Sequence, residues 1–144
     1  MSVALLAQAK TTVSLSIPLF LESVQAGFPS PAQDYIERSL DLNELCIHHP
    51  AATFFVRVEG LSMIEAGIYP GDILVVDRSI TAVHGHTVIA CLNGEMTVKE
   101  LGLTPRPCLI PRNKDYAVIE ISEDAELDIF GVVTNVVRNM LFNK

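Results

Sequence analysis

Hydrophobic and polar residues alternate most regularly in the second half of the chain. Thr53-Phe54-Phe55-Val56-Arg57-Val58 reads as a half-buried strand. Residues 73–76, Ile-Leu-Val-Val, form a short apolar run between Gly71-Asp72 and Asp77, as expected of a buried strand. Thr87–Leu92 and residues 96–101 flank Asn93-Gly94, a dipeptide suited to a two-residue hairpin loop. Counting outward from that loop pairs Leu92 with Glu95 and Val88 with Lys99. Further strands are expected around Cys108–Ile110, residues 116–121 and Leu127–Val137. Short strands with frequent turn signals predict a compact, mostly β body.

The N-terminal third has a different pattern. Residues 1–26 lack regular amphipathic spacing apart from a β-like run at 11–17, and read as a flexible arm. Gly27-Phe28-Pro29-Ser30-Pro31 reads as an exposed linker, because two prolines and a glycine disfavour regular structure. A short helix is expected from Ser30 or Pro31 to about Leu40, with Tyr35 and Ile36 facing inward. A second helical turn is expected at 41–44, where Asp41 and Glu44 have capping-box spacing. The predicted organisation is an arm over 1–26, a linker with short helical turns over 27–50, and a β domain over 51–144.

Composition narrows the possible functions. With 144 residues, 49% of them hydrophobic and 19% charged, the chain can bury a real core. A net charge of −7 with scattered basic residues argues against direct, phosphate-neutralising contact with DNA or RNA. Cys46, Cys91 and Cys108 are odd in number and lack C-x-x-C spacing, which suits reduced thiols in a cytoplasmic protein. No run approaches the ~18 apolar residues that span a membrane. A secretory leader ending at Ala26 is an alternative suggested by the apolar run 13–21 and Val24-Gln25-Ala26. Against it, residues 1–9 carry no basic side chain, Ser14, Ser16 and Pro18 break the run, and Glu22 follows it.

The chemistry centres on Gly60-Leu61-Ser62. A serine just after a glycine at a strand end can present its hydroxyl at a tight turn beside outward-pointing N–H groups. Most such serines are only turn residues, and a nucleophile needs an activating base. Lys99 lies on a strand with apolar neighbours. Exposed, with a pKa near ~10.4, about one molecule in a thousand would hold a neutral amine at physiological pH. Buried, the amine loses its charge more easily and can take the proton of Ser62 without histidine. A surface lysine on an edge strand is the plain alternative.

Other polar groups have blander readings. Asp72 and Asp77 bracket a strand, where turn hydrogen bonds are expected rather than acid–base work. His48-His49 and His84-Gly85-His86 lack a supporting ligand set and read as loop residues, so no metal is expected. Glu120, Glu123, Asp124, Glu126 and Asp128 form an acidic rim or, alternatively, a docking surface for basic partners. The apolar run 129–137 suits a core strand.

Three segments together resemble the LexA/UmuD self-cleaving serine peptidases. They are Gly60-Leu61-Ser62-Met63, Tyr69-Pro70-Gly71-Asp72-Ile73-Leu74-Val75-Val76-Asp77 and Gly94-Glu95-Met96-Thr97-Val98-Lys99-Glu100-Leu101. Residues 26–35, with Phe130-Gly131-Val132-Val133, resemble the UmuD branch, as does a short arm in place of a DNA-binding domain. The resemblance implies Ser62 as nucleophile, Lys99 as general base and Ala26-Gly27 as the scissile bond. It implies backbone N–H groups of Leu61 and Ser62 as oxyanion donors, with Leu61 a mild departure from the acidic or small polar residue often found there. It further implies a homodimer and stimulation by a RecA–single-stranded DNA filament. A Y-family (UmuC-like) polymerase would receive the product for error-prone translesion synthesis in the SOS response. No cofactor is implied. The alternative is a non-catalytic subunit of the same fold that binds a polymerase or RecA.

Overall fold

The structure, a computed structural model, describes residues 3–8, 16–20, 26–27 and 36–141. Ten strands are described: β1 Val3–Gln8, β2 Ser16–Phe20, β3 Ile36–Asp41, β4 Thr53–Val58, β5 Ile73–Asp77, β6 Thr87–Leu92, β7 Glu95–Gly102, β8 Cys108–Ile110, β9 Ile119–Glu120 and β10 Leu127–Val137. One α-helix, α1 Leu42–Cys46, follows β3. The protein is mostly β, as its alternating pattern predicts.

Eight strands form one antiparallel sheet in the order β1-β4-β5-β10-β6-β7-β8-β9. The last strand, β10, is the keystone: its first half pairs with β6 and its second half with β5. Irregularities at 129–131 and 133–135 let it bend between the two. Both faces of the sheet are covered, so successive β6 residues enter different cores. Val88 and Ala90 pack with Leu101, Leu109 and Val132, while Ile89 packs with Val56, Val58, Met63, Leu74, Val76 and Val98. Strand periodicity of two produces this division. The second cluster holds Met63, which ties the Ser62 turn into the core.

The β6–β7 hairpin has the expected register, with Leu92 opposite Glu95 and Val88 opposite Lys99. Asn93 at φ 51° and Gly94 at φ 87° both take the left-handed conformation that a two-residue hairpin loop demands. Residues 116–121 give less strand than expected: only Ile119–Glu120 pairs, with Cys108 and Leu109 of β8.

Residues 36–41 correct the helix expected up to Leu40. They form β3, antiparallel to β2, with Ile17 opposite Leu40 and Leu19 opposite Arg38. A short helix is costly to nucleate, and strand pairing with a segment some twenty residues upstream wins instead. The first part of that expected helix, with Tyr35, lies outside the described residues. The expected turn after Asp41 is present, and the Asp41 carboxylate caps α1 by accepting from the Asn43 N–H at 2.9 Å. In the arm, β1 pairs with β4 at one edge of the main sheet. Most of the β-like run at 11–17 lies outside the described residues; Ser16 and Ile17 begin β2.

Buried charge is placed with care. Asp72, just before β5, receives two bonds from Arg138, both at 2.6 Å, and one from the Tyr69 N–H at 2.8 Å. Arg138 also lies over the Tyr69 ring, 4.6 Å from its centroid. Burial pushes the Asp72 carboxyl pKa up, but the Arg138 and Tyr69 hydrogen bonds outweigh it and hold the value below 3.8. A carboxylate whose folded pKa lies below its unfolded one stabilises above pH ~4, and that contribution fades as pH falls through the folded value. Arg138→Ala leaves this carboxylate buried with its guanidinium partner gone. The variant is expected to be less stable at pH 7, with the loss shrinking below pH ~4 as the carboxylate is protonated; urea denaturation at both pH values measures it.

Asp77 serves the turn after β5. It accepts from the Ser79 N–H and hydroxyl at 2.8 and 2.6 Å and meets His49 Nδ1 at 2.6 Å. The two aspartates therefore make turn hydrogen bonds, as read from the sequence, and Asp72 adds the ion pair. His84 Nδ1 and His86 Nδ1 accept backbone N–H groups of Leu103 and Val83. No described helix is long and apolar enough to cross a membrane.

Candidate active site

The serine turn leaves the end of β4. Gly60 has φ 88°, a left-handed conformation that glycine takes without a Cβ penalty, and it reverses the chain immediately before Leu61. Leu61 points its side chain outward, 49% exposed, while Ser62 and Met63 are fully buried. A single 3₁₀ turn, Ile64–Ala66, follows and closes on Gly67.

Lys99 reaches the same place from β7. Its Nζ lies 3.1 Å from Ser62 Oγ, 37 positions away in sequence. The amine also lies 2.7 Å from Thr97 Oγ1 and 3.2 Å from the Val98 carbonyl. Thr97 and Lys99 are two apart on one strand and so share a face. Lys99 is 4% exposed, and burial pushes its pKa below the ordinary 10.5. A neutral amine has two N–H donors and one lone pair. Donating to Val98 O and Thr97 Oγ1 leaves the lone pair for the Ser62 hydroxyl proton. A desolvated lysine with three well-placed partners is matched in geometry and charge to a serine that must lose a proton.

The N–H groups of Leu61 and Ser62 have no acceptor among the described residues. The loop after β8 backs this turn. Asn113 Nδ2 donates to the Leu61 carbonyl at 2.8 Å, the Arg112 N–H donates to Met63 Sδ at 3.3 Å, and the Glu65 N–H donates to the Arg112 carbonyl at 2.8 Å. Arg112 itself pairs with Glu100, the β7 residue after Lys99.

Ala26 and Gly27 are both exposed, and a Cβ on Gly27 would meet nothing within 4 Å. The structure thus brings Ser62 and Lys99 together, leaves the Leu61 and Ser62 N–H groups without an acceptor among the described residues, and exposes Ala26 and Gly27. Thr97 and Asn113 are the contributors that sequence reading missed. Thr97 had a signal, since period two places it on the Lys99 face; Asn113 had none, lying 52 positions from its partner. Among the described residues no group of three or more His, Cys, Asp or Glu is arranged to hold a metal ion.

Comparison with known proteins gives the family. Residues 18–134 match the family Peptidase S24-like. The chain is 55% identical over 121 residues to Protein MucA of Salmonella typhimurium, covering 83% of each chain. It is 51% identical over 130 residues to Protein SamA of Salmonella typhimurium strain LT2, covering 90% of this chain and 91% of that one. LexA repressor 1 of Pseudomonas syringae pv. tomato is 38% identical over 125 residues, 85% of this chain and 61% of the repressor. A buried Ser–Lys pair on a mostly β body and a family match over most of the length lead to one conclusion: the chain belongs to the Peptidase S24-like family of serine peptidases, as a UmuD-type member of its LexA/UmuD branch.

Proposed function

We propose that this chain is a self-processing mutagenesis protein of the SOS response that cuts its own Ala26–Gly27 bond with Ser62 and Lys99. The observation that carries this reading is the 3.1 Å approach of the Lys99 amine to the Ser62 hydroxyl in a buried setting. The neutral amine takes the hydroxyl proton as Ser62 Oγ attacks the Ala26 carbonyl. The N–H groups of Leu61 and Ser62 receive the negative charge that develops on the carbonyl oxygen. The Lys99 ammonium then returns its proton to the Gly27 nitrogen, which leaves. Water, activated by Lys99, releases the Ala26 carboxylate from Ser62 and restores the hydroxyl.

The rate in this reading is the product of the docked fraction of the arm and the chemical step, because Ser62 is fully buried while Ala26 and Gly27 are exposed. A RecA–single-stranded DNA filament accelerates cutting by favouring the docked state, adding no catalytic group. The product, residues 27–144, acts as a homodimer and joins a Y-family polymerase for translesion synthesis in the cytoplasm. The net charge of −7 suits contact with nucleic acid through those partners.

The test is incubation of the purified full chain across pH 6–11, with mass spectrometry of the products. Cleavage yields a species starting at Gly27, and its rate rises with pH until Lys99 is neutral, then levels off. A RecA filament raises the rate at pH 7. An intact chain under every condition, filament included, supports the non-catalytic binding subunit instead.

A further inference from the structure

The Leu61 carbonyl and the Ser62 N–H belong to one peptide unit. In a trans peptide these two groups are coplanar and point in opposite directions. Whatever fixes the direction of the carbonyl therefore aims the N–H. The Leu61 carbonyl accepts from Asn113 Nδ2 at 2.8 Å on one side of the turn, while the Ile64 N–H makes a longer contact at 3.3 Å. Asn113 is itself held: it is 8% exposed, and its Oδ1 accepts the Asp115 N–H at 3.0 Å, which fixes which end of the amide faces Leu61. Its loop is anchored to the serine turn again at Met63 Sδ, at the Glu65 N–H and by the Lys114 N–H to Glu65 Oε2 at 3.0 Å.

We propose that Asn113 is a positioning residue for cleavage, clamping the Leu61–Ser62 peptide so that the Ser62 N–H stays aimed at the oxyanion. The proposal rests on the self-cleavage reading above. Asn113 touches neither Ser62 Oγ nor Lys99 in the described contacts, so it acts through the peptide plane and not through the proton transfer. Without the clamp the turn keeps Gly60, the buried Met63 and the 3₁₀ turn. The peptide can then rotate, and the donor no longer meets the charge as it forms. Deleting an oxyanion donor outright lowers rates by about 100–1,000-fold, so misaiming one is expected to cost about 10–100-fold.

Asn113→Asp tests this in the full chain. It preserves size and the acceptor for Asp115, and places an oxygen where the Leu61 carbonyl needs a donor. The measurement is the pH–rate profile of cleavage at Ala26–Gly27 for wild type, Asn113→Asp and Asn113→Ala, with thermal unfolding of each alongside. The expected result is a plateau lowered about 10–100-fold in both variants with the midpoint pH unmoved, because the Lys99 surroundings are intact. Asn113→Ala serves if the aspartate variant does not fold. A plateau within about twofold of wild type in a folded variant overturns the proposal, as does a shifted midpoint, which would place the effect on Lys99. Failure of the wild type to cut overturns the self-cleavage reading and the clamp with it; cutting by wild type with an unaltered variant plateau overturns only the clamp.

Discussion

Substituting alanine for Ser62 is expected to leave the Ala26–Gly27 bond intact over an incubation in which the wild-type chain is fully processed. The expected loss is on the order of 10⁴–10⁶-fold, the scale seen when a nucleophile that works as a unit with its base is removed. Lys99→Ala should fall into the same range, since the hydroxyl then lacks a group that can take its proton. The double variant should be no slower than either single one, because the second substitution removes a partner that has nothing left to act on. Intact-mass spectrometry of all three chains at pH 10 measures this. The fold should survive Ser62→Ala: the side chain is small and the turn is held by Gly60, Met63 and the loop after β8.

The second large effect concerns stability, and it separates charge from shape. Lys99→Arg places a cation that cannot lose its proton where the native amine is 4% exposed. Burial lowers the lysine pKa, so lysine can shed its charge more readily than in water; arginine cannot. An uncompensated buried charge costs about 3–5 kcal/mol, a large part of the ~5–15 kcal/mol that holds a domain together. Lys99→Met keeps the length without a charge. It loses the bonds to Ser62, Thr97 and Val98, so its stability at pH 7 reflects two opposed changes.

The dependence on pH is the cleaner signature. Burial lowers the folded-state pKa of Lys99 below 10.5, so between the two values the unfolded chain binds more protons than the folded one. Stability therefore rises with pH through that window in the wild type and is fully present above pH ~10.5. The rise is absent in Lys99→Met. Urea midpoints collected from pH 7 to 10.5 give both slopes.

How much could be read from sequence depended on how local the governing interactions are. The hairpin loop at Asn93-Gly94 fixes register by counting, so Lys99 opposite Val88 followed directly. Thr53–Val58 and Leu127–Val137 carry enough alternation to be strands on their own, whatever they pair with. Residues 36–40 look helical in isolation, because their partner strand, 16–20, overlaps the locally β-like run at 11–17 only at Ser16 and Ile17, and nothing in that run points to the pairing. The site divides the same way. Glycine before Ser62 and apolar neighbours around Lys99 are visible in the letters. Their meeting at 3.1 Å depends on the sheet order and needed either coordinates or a family resemblance. Asn113 and Arg138 reach partners 52 and 66 positions away, from loops whose composition resembles any other.

The protonation state of one amine underlies the chemistry, and it can be observed without cleavage. Carbon-13 labelling of lysine side chains in the uncuttable Ser62→Ala chain, with Lys99 assigned by comparison with Ser62→Ala/Lys99→Met, allows its Cε resonance to be titrated. A midpoint below 10.5 is expected. A Lys99 midpoint at or above 10.5 would mean that the amine is charged wherever the protein works, and would contradict its use as the base.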